Sequence, residues 1–133
     1  VILHGGDLVT AAFLDELEAI GPPVHAVLGN VDEPALRGRL PERRVVELDG
    51  VRIGMVHDAG RAAGRLDRLR AAFAGCAAVV FGHSHIPLHE RSADGAFQIF
   101  NPGSPTDRRR QRVHTMGDGV VKGGGVAFVL VEV

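Results

Sequence analysis

Two histidines, His83 and His85, stand two residues apart in "FGHSHIP", directly after the apolar run "CAAVV". In a strand such a pair would share one face, whereas a tight loop turns both imidazoles toward a common point. The glycine and proline that frame the pair favour the loop. Three further strand-like runs end in residues of the same chemical kind: Asp7 in "GGDLV", Asn30 and Asp32 in "GNVDEP", and His57 in "MVHDAG". Ligands of α/β sheets gather at the carboxyl ends of strands, where loops diverge, so these residues can converge. A carboxylate, an amide oxygen and three imidazoles form a mixed N/O set suited to Mn, Fe, Zn, Co or Ni and poorly suited to Ca. No thiolate belongs to it, which argues against a structural zinc knot. Taken singly, Asp7 and Asn30 read as turn residues, and His57 reads equally as a buried histidine or a ligand. Only their joint placement points to a metal centre. His4, His25, His89 and His114 lack such company and are assigned to packing or surface.

The elements that must position these residues can be read in order. "VILH" is a strand, and "AAFLDELEAI" a helix with Phe13, Leu14, Leu17 and Ile20 on one face and Thr10 as N-cap. "VHAVLG" is a second short strand, followed by a helical turn after "NVDEP". "RRVVELDGVRIGMVH" reads as two strands around the hairpin dipeptide Asp49-Gly50. A helix with Leu66, Leu69 and Phe73 on one face then leads into "CAAVVFG". A second hairpin is centred on Asp94-Gly95, and a glycine-broken pair ends in "VAFVLVEV". Alternating helices and strands followed by hairpins predict a layered α/β domain with mixed sheets.

The 133 residues suffice for one domain, spanning 1–133. A net charge of -1 gives no indication of nucleic acid as partner, and the apolar runs are too short to span a membrane. The lone cysteine, Cys76, cannot form an internal disulfide, which fits a reducing cytoplasm. Basic residues are nearly all arginine, with Lys122 the one lysine, a bias common in GC-rich bacterial genomes. The chain opens at Val1, already inside a strand, so an upstream first strand and helix are expected to be missing.

The ordered series "GD", "GNVD", "H", "GHSH" and "NPGS", from Gly6 to Ser104, resembles the calcineurin-like metallophosphoesterases, and within them the small YfcE-like phosphodiesterases. The resemblance implies a four-layer α-β-β-α sandwich with two mixed β-sheets and a binuclear centre of two divalent ions, manganese first, with Ni, Zn, Fe or Co as alternatives. By the same resemblance Asp7 bridges the two ions, Asn30, His57 and His83 complete one site, and His85 serves the other. The activity implied is phosphodiester hydrolysis by a metal-bridging hydroxide, on a small-molecule substrate. In "NPGSPTDRRRQ", Asn101 and Ser104 would hold neighbouring ligand loops, and Arg108, with Arg109 and Arg110, would attract the anionic ester or else form a solvated basic turn.

The pattern departs from the family at two places. The Asp-x-His motif that opens the family does not occur, which leaves the second ion only Asp7 and His85, too few for tight binding, so these 133 residues are expected to hold one ion well and the second poorly. Val31 stands where larger members carry a histidine that protonates the leaving group, which favours esters with good leaving groups. Asp32 is a candidate substitute acid, and Asp58 a candidate substrate or supporting contact. The competing reading is a protein-binding scaffold with a weakened metal site, as in the small subunit of the retromer coat. The sequence leaves a homo-oligomer open.

Overall fold

The computed structural model describes all residues, 1–133. Strand β1 (Ile2–His4) leads through a glycine-rich loop into α1 (Ala11–Glu18), and β2 (Val24–Ala26) into the short α2 (Pro34–Arg37). The hairpin β3 (Arg43–Leu48) and β4 (Val51–Val56) follows, then α3 (Arg65–Ala72), β5 (Ala78–Val80), β6 (Leu88–Arg91), β7 (Gln98–Asn101) and the terminal hairpin β8 (Thr115–Lys122) and β9 (Gly125–Glu132). Both predicted hairpins form. Asp49 and Gly50 turn with φ of 49° and 79°, the doubly left-handed geometry that Asp-Gly favours.

Four layers result. β3-β4-β5-β7-β6 form a mixed five-stranded sheet, with β4, β5 and β7 parallel to one another and the outer strands antiparallel. On one face α3 sends Leu69 and Phe73 into a cluster with Val56, Val79, Phe97 and Ile99. On the other, Ile53, Ala78 and Val80 meet Val126 of the terminal hairpin, while Val46 and Met55 meet Val27 just beyond β2. The outermost layer is α1 and α2, whose Leu14 and Leu36 pack with Leu8 and Ala26. Alternate residues of β5 therefore serve opposite faces, as the period of two requires. The expected second sheet is present as two separate pairs, parallel β1-β2 and antiparallel β8-β9.

Helix α1 departs from its expected face. Thr10 caps it by accepting from the Phe13 N–H at 3.1 Å, but it stops at Glu18, so Ile20 lies beyond it and is 66% exposed. Leu14 is buried, whereas Phe13 lies at the edge of the buried stripe, touching the His4 ring edge-on. Eight helical residues give room for one buried column, not four anchors. Cys76 is buried in the α3 cluster, as its apolar surroundings predict, and burial pushes its thiol pKa up.

Candidate metal centre

Four loops, each leaving the carboxyl end of a strand, meet at one edge of the layers. The first is shaped by Gly5 and Gly6. Gly6 takes φ of 98°, and a Cβ there would run into the His57 ring, so the chain passes only because the residue is glycine. Asp7 follows with φ of 61°. Its Oδ1 accepts from the Val31 N–H at 3.1 Å, which ties this loop to the second. Gly29 in that second loop faces Asp7 so closely that any Cβ would overlap both the Asp7 carboxylate and its amide.

Asp32 is buried and holds the two loops in register. One carboxylate oxygen accepts from Val9 N–H at 2.7 Å and the other from Gly29 N–H at 2.6 Å. Both oxygens are thus committed to the backbone, a clamp rather than a proton donor.

His57 directly follows β4 and is buried. Its Nδ1–H donates to the Gly5 carbonyl at 2.6 Å, a partner that can only accept, so the neutral ring carries its lone pair on Nε2. That lone pair faces two more acceptors, Asn30 Oδ1 at 2.8 Å and Asp7 Oδ2 at 3.2 Å. His83 Nδ1 joins them, 3.1 Å from Asn30 Oδ1 and 3.2 Å from His57 Nε2. Electron pairs converge here without enough protons between them, an arrangement that a cation resolves. Ligand atoms of Asp7, His57 and His83 all lie within 4.8 Å of one another. Nitrogen and oxygen ligands about 2.0–2.2 Å from one ion stand roughly 3–4.4 Å apart, so a donor set gathered this closely suits a borderline divalent metal.

His85 lies outside this group. Its Nδ1–H donates to the Asp107 carbonyl at 2.6 Å, which leaves Nε2 as its coordinating atom. Asp107 is placed in turn by Ser104, whose Oγ accepts from the Thr106 N–H at 3.3 Å and the Asp107 N–H at 3.0 Å. Asn101, fully buried, donates to the Gly82 carbonyl at 3.0 Å and Ser84 Oγ at 3.1 Å, and accepts from Gly103 N–H at 2.9 Å. It grips the loop between the two histidines. Asp58 reaches to 3.9 Å from His83 Nε2 and caps the Gly60 N–H. Arg108 folds back onto the Gln111 carbonyl at 2.6 Å, which orders the basic turn, and Arg109 and Arg110 are exposed.

Asp7, His83 and His85 all hold left-handed backbones, with φ of 61°, 66° and 60°. For residues other than glycine each such conformation costs on the order of 1 kcal/mol and persists where surrounding bonds over-determine it. Three of the five candidate ligands bear that cost, a concentration expected of a working site. His4 also belongs to these surroundings, more closely than the sequence indicates. Its Nδ1 accepts from the Gly6 N–H at 3.2 Å, and burial lowers its pKa below the usual histidine value despite the carboxylates of Asp32 and Asp7. Its place at the end of β1, three residues before Asp7, is the one signal that could have marked it.

The sequence matches the calcineurin-like phosphoesterase superfamily domain over residues 1–121. A probable metallophosphoesterase of Methanothermobacter thermautotrophicus is 34% identical over 108 residues, covering 80% of this chain and 60% of the relative, so the chain spans about three fifths of that protein. Two solved structures share the fold. Vps29 from Entamoeba histolytica, complexed with zinc, superposes with a TM-score of 0.73 at 20% identity, covering 98% of this chain and 80% of that one. An archaeal phosphodiesterase gives 0.73 at 19% identity, covering 97% and 81%. With its motifs in order, its donor atoms converged and its layers in place, the chain belongs to the calcineurin-like phosphoesterase superfamily.

Proposed function

We propose that the protein is a metal-dependent phosphodiesterase acting on a small-molecule phosphodiester in the cytoplasm, with two divalent ions, manganese first. The observation that carries this reading is the convergence of Asp7, Asn30, His57 and His83 on one point, with the His57 tautomer fixed by Gly5. These four would hold one ion; Asp7 and His85 would hold the other. When bound, such ions supply Lewis acidity toward phosphoryl oxygens and lower the pKa of water. The protein's own part is positioning. His57 is held by its Nδ1–H bond, His83 and His85 by the Asn101 and Ser104 networks, and Asp7 by Val31 and Gly29.

Neither residue that follows Asn30 in this loop is a proton donor, because Val31 has no titratable group and both Asp32 oxygens are bonded to the backbone. The leaving group therefore departs without an acid from this loop, which favours diesters of acidic alcohols over alkyl monoesters. Arg108 and its neighbours would lend positive charge to an anionic ester. The archaeal phosphodiesterase of the same fold supports the reading. The test is hydrolysis of bis-p-nitrophenyl phosphate with manganese, beside His83→Ala. Turnover that falls at least a hundredfold in the variant supports an enzyme. A folded full-length protein inactive with every divalent metal would favour the scaffold reading.

A further inference from the structure

Three exposed apolar residues are chain neighbours of candidate ligands. Outside Val1 and the terminal region from Val113 onward, the exposed large hydrophobic residues are Val9, Phe13, Ile20, Val31, Val45 and Ile86. Val9, Val31 and Ile86 each lie within two residues of a candidate ligand: Asp7, Asn30 and His85. They are 48%, 55% and 51% exposed.

Two of these positions are fixed by bonds to the site. Because the Val31 N–H donates to Asp7 Oδ1 at 3.1 Å, the Val31 Cβ lies no more than about 6 Å from that oxygen by bond geometry. Val9 follows Asp7 by two residues, so their Cα atoms are at most about 7 Å apart. Its φ is 74°, a backbone that a β-branched residue rarely adopts. The strain is held from both sides: the Val9 N–H donates to Asp32 at 2.7 Å, and the Val9 carbonyl accepts from Glu33 N–H at 2.9 Å. Glycine or asparagine would take that backbone more easily, and at half exposure the valine is not filling the core. An apolar surface beside a polar, charge-gathering centre has a use if the ligand is itself part anion and part hydrocarbon.

We propose that Val9, Val31 and Ile86 form an apolar rim that receives the ester group of the substrate, which makes the preferred substrate a phosphodiester of an aromatic alcohol. This rests on the phosphodiesterase reading and narrows its substrate class. The rim discriminates by water exclusion: an ester carbon framework loses hydration against the two valines, whereas inorganic phosphate gains nothing there.

The test is calorimetric titration of the manganese-loaded protein with inorganic phosphate, methylphosphonate and phenylphosphonate, which needs no turnover. Phenylphosphonate is expected to bind about tenfold more tightly than methylphosphonate. Val31→Ser should reduce that preference to about twofold with phosphate affinity unchanged, and Val31→Leu should restore it. Both positions are exposed, and urea unfolding of each variant confirms that the fold is kept. Equal affinity for the two phosphonates, or a preference that survives in both Val31→Ser and Val9→Ser, overturns the rim while leaving phosphate recognition intact; the apolar surface would then serve a protein partner. Absence of binding by phosphate and both phosphonates, together with absence of hydrolysis, overturns the underlying phosphodiesterase reading instead.

Discussion

Replacing Asn101 with alanine tests how the histidine loop is held. The side chain is fully buried and makes three hydrogen bonds, to the Gly82 carbonyl, Ser84 Oγ and Gly103 N–H. The losses are unequal. The Gly82 carbonyl keeps a second donor, the Ser84 N–H at 2.8 Å, and Ser84 Oγ still accepts from Ile86 N–H at 3.2 Å. The Gly103 N–H is left without its partner in a half-buried turn, at a cost of about 1–3 kcal/mol, and the two other bonds contribute roughly 0.5–1.5 kcal/mol each. Because the Gly82 carbonyl and Ser84 Oγ keep other donors, the lower half of the summed range applies, about 3 kcal/mol. With a urea slope of about 1.5 kcal/mol/M, the unfolding midpoint should fall by about 2 M. The same loss frees the left-handed backbones of His83 and His85, so manganese affinity should drop roughly 10- to 100-fold, the usual effect of removing a group that orients ligands. Chemical unfolding and metal titration of the two proteins measure both. A midpoint shift below about 0.3 M with unchanged metal affinity would refute the role given to Asn101.

At Gly29, alanine would place its Cβ against the Asp7 carboxylate and amide, so Gly29→Ala should destabilise by about 1–3 kcal/mol and weaken metal binding, measured by the same two assays. Normal affinity in the variant would show that the two loops have slack. His4 gives a pH dependence. Its folded pKa lies below the unfolded value of 6.5, so the unfolded chain binds more protons below that pH and stability falls as pH drops through 6.5 toward the folded pKa. In chelator, His4→Asn, which keeps an acceptor for Gly6 N–H, should lose less stability between pH 7 and 5 than the parent, as read from urea midpoints.

Much of this was legible because the motif residues sit at strand ends, where sequence order and spatial order coincide. The hairpins at Asp49-Gly50 and Asp94-Gly95 were equally legible, because their turn chemistry is local. What escaped the sequence depends on contacts between distant segments. Asp32 reads as an acid beside Asn30, and only the folded loops show both oxygens bound to Val9 and Gly29. His4 reads as a strand residue, and its closeness to the site arises from β1 lying beside the loops of other strands. The unpaired relation of β1-β2 to β8-β9 is likewise a matter of pairing across most of the chain. In α1 the apolar periodicity continues to Ile20 while the backbone turns away after Glu18.

The central claim is that the lone pairs of Asp7, Asn30, His57 and His83 make a cation site. Calorimetric titration of manganese into chelator-stripped protein, beside His57→Ala and Asn30→Ala, tests it most directly. The account predicts saturable binding of at least one ion per chain, weakened tenfold or more in each variant. No saturable binding of manganese, zinc, nickel, cobalt or iron, or binding that both variants leave unchanged, would contradict it.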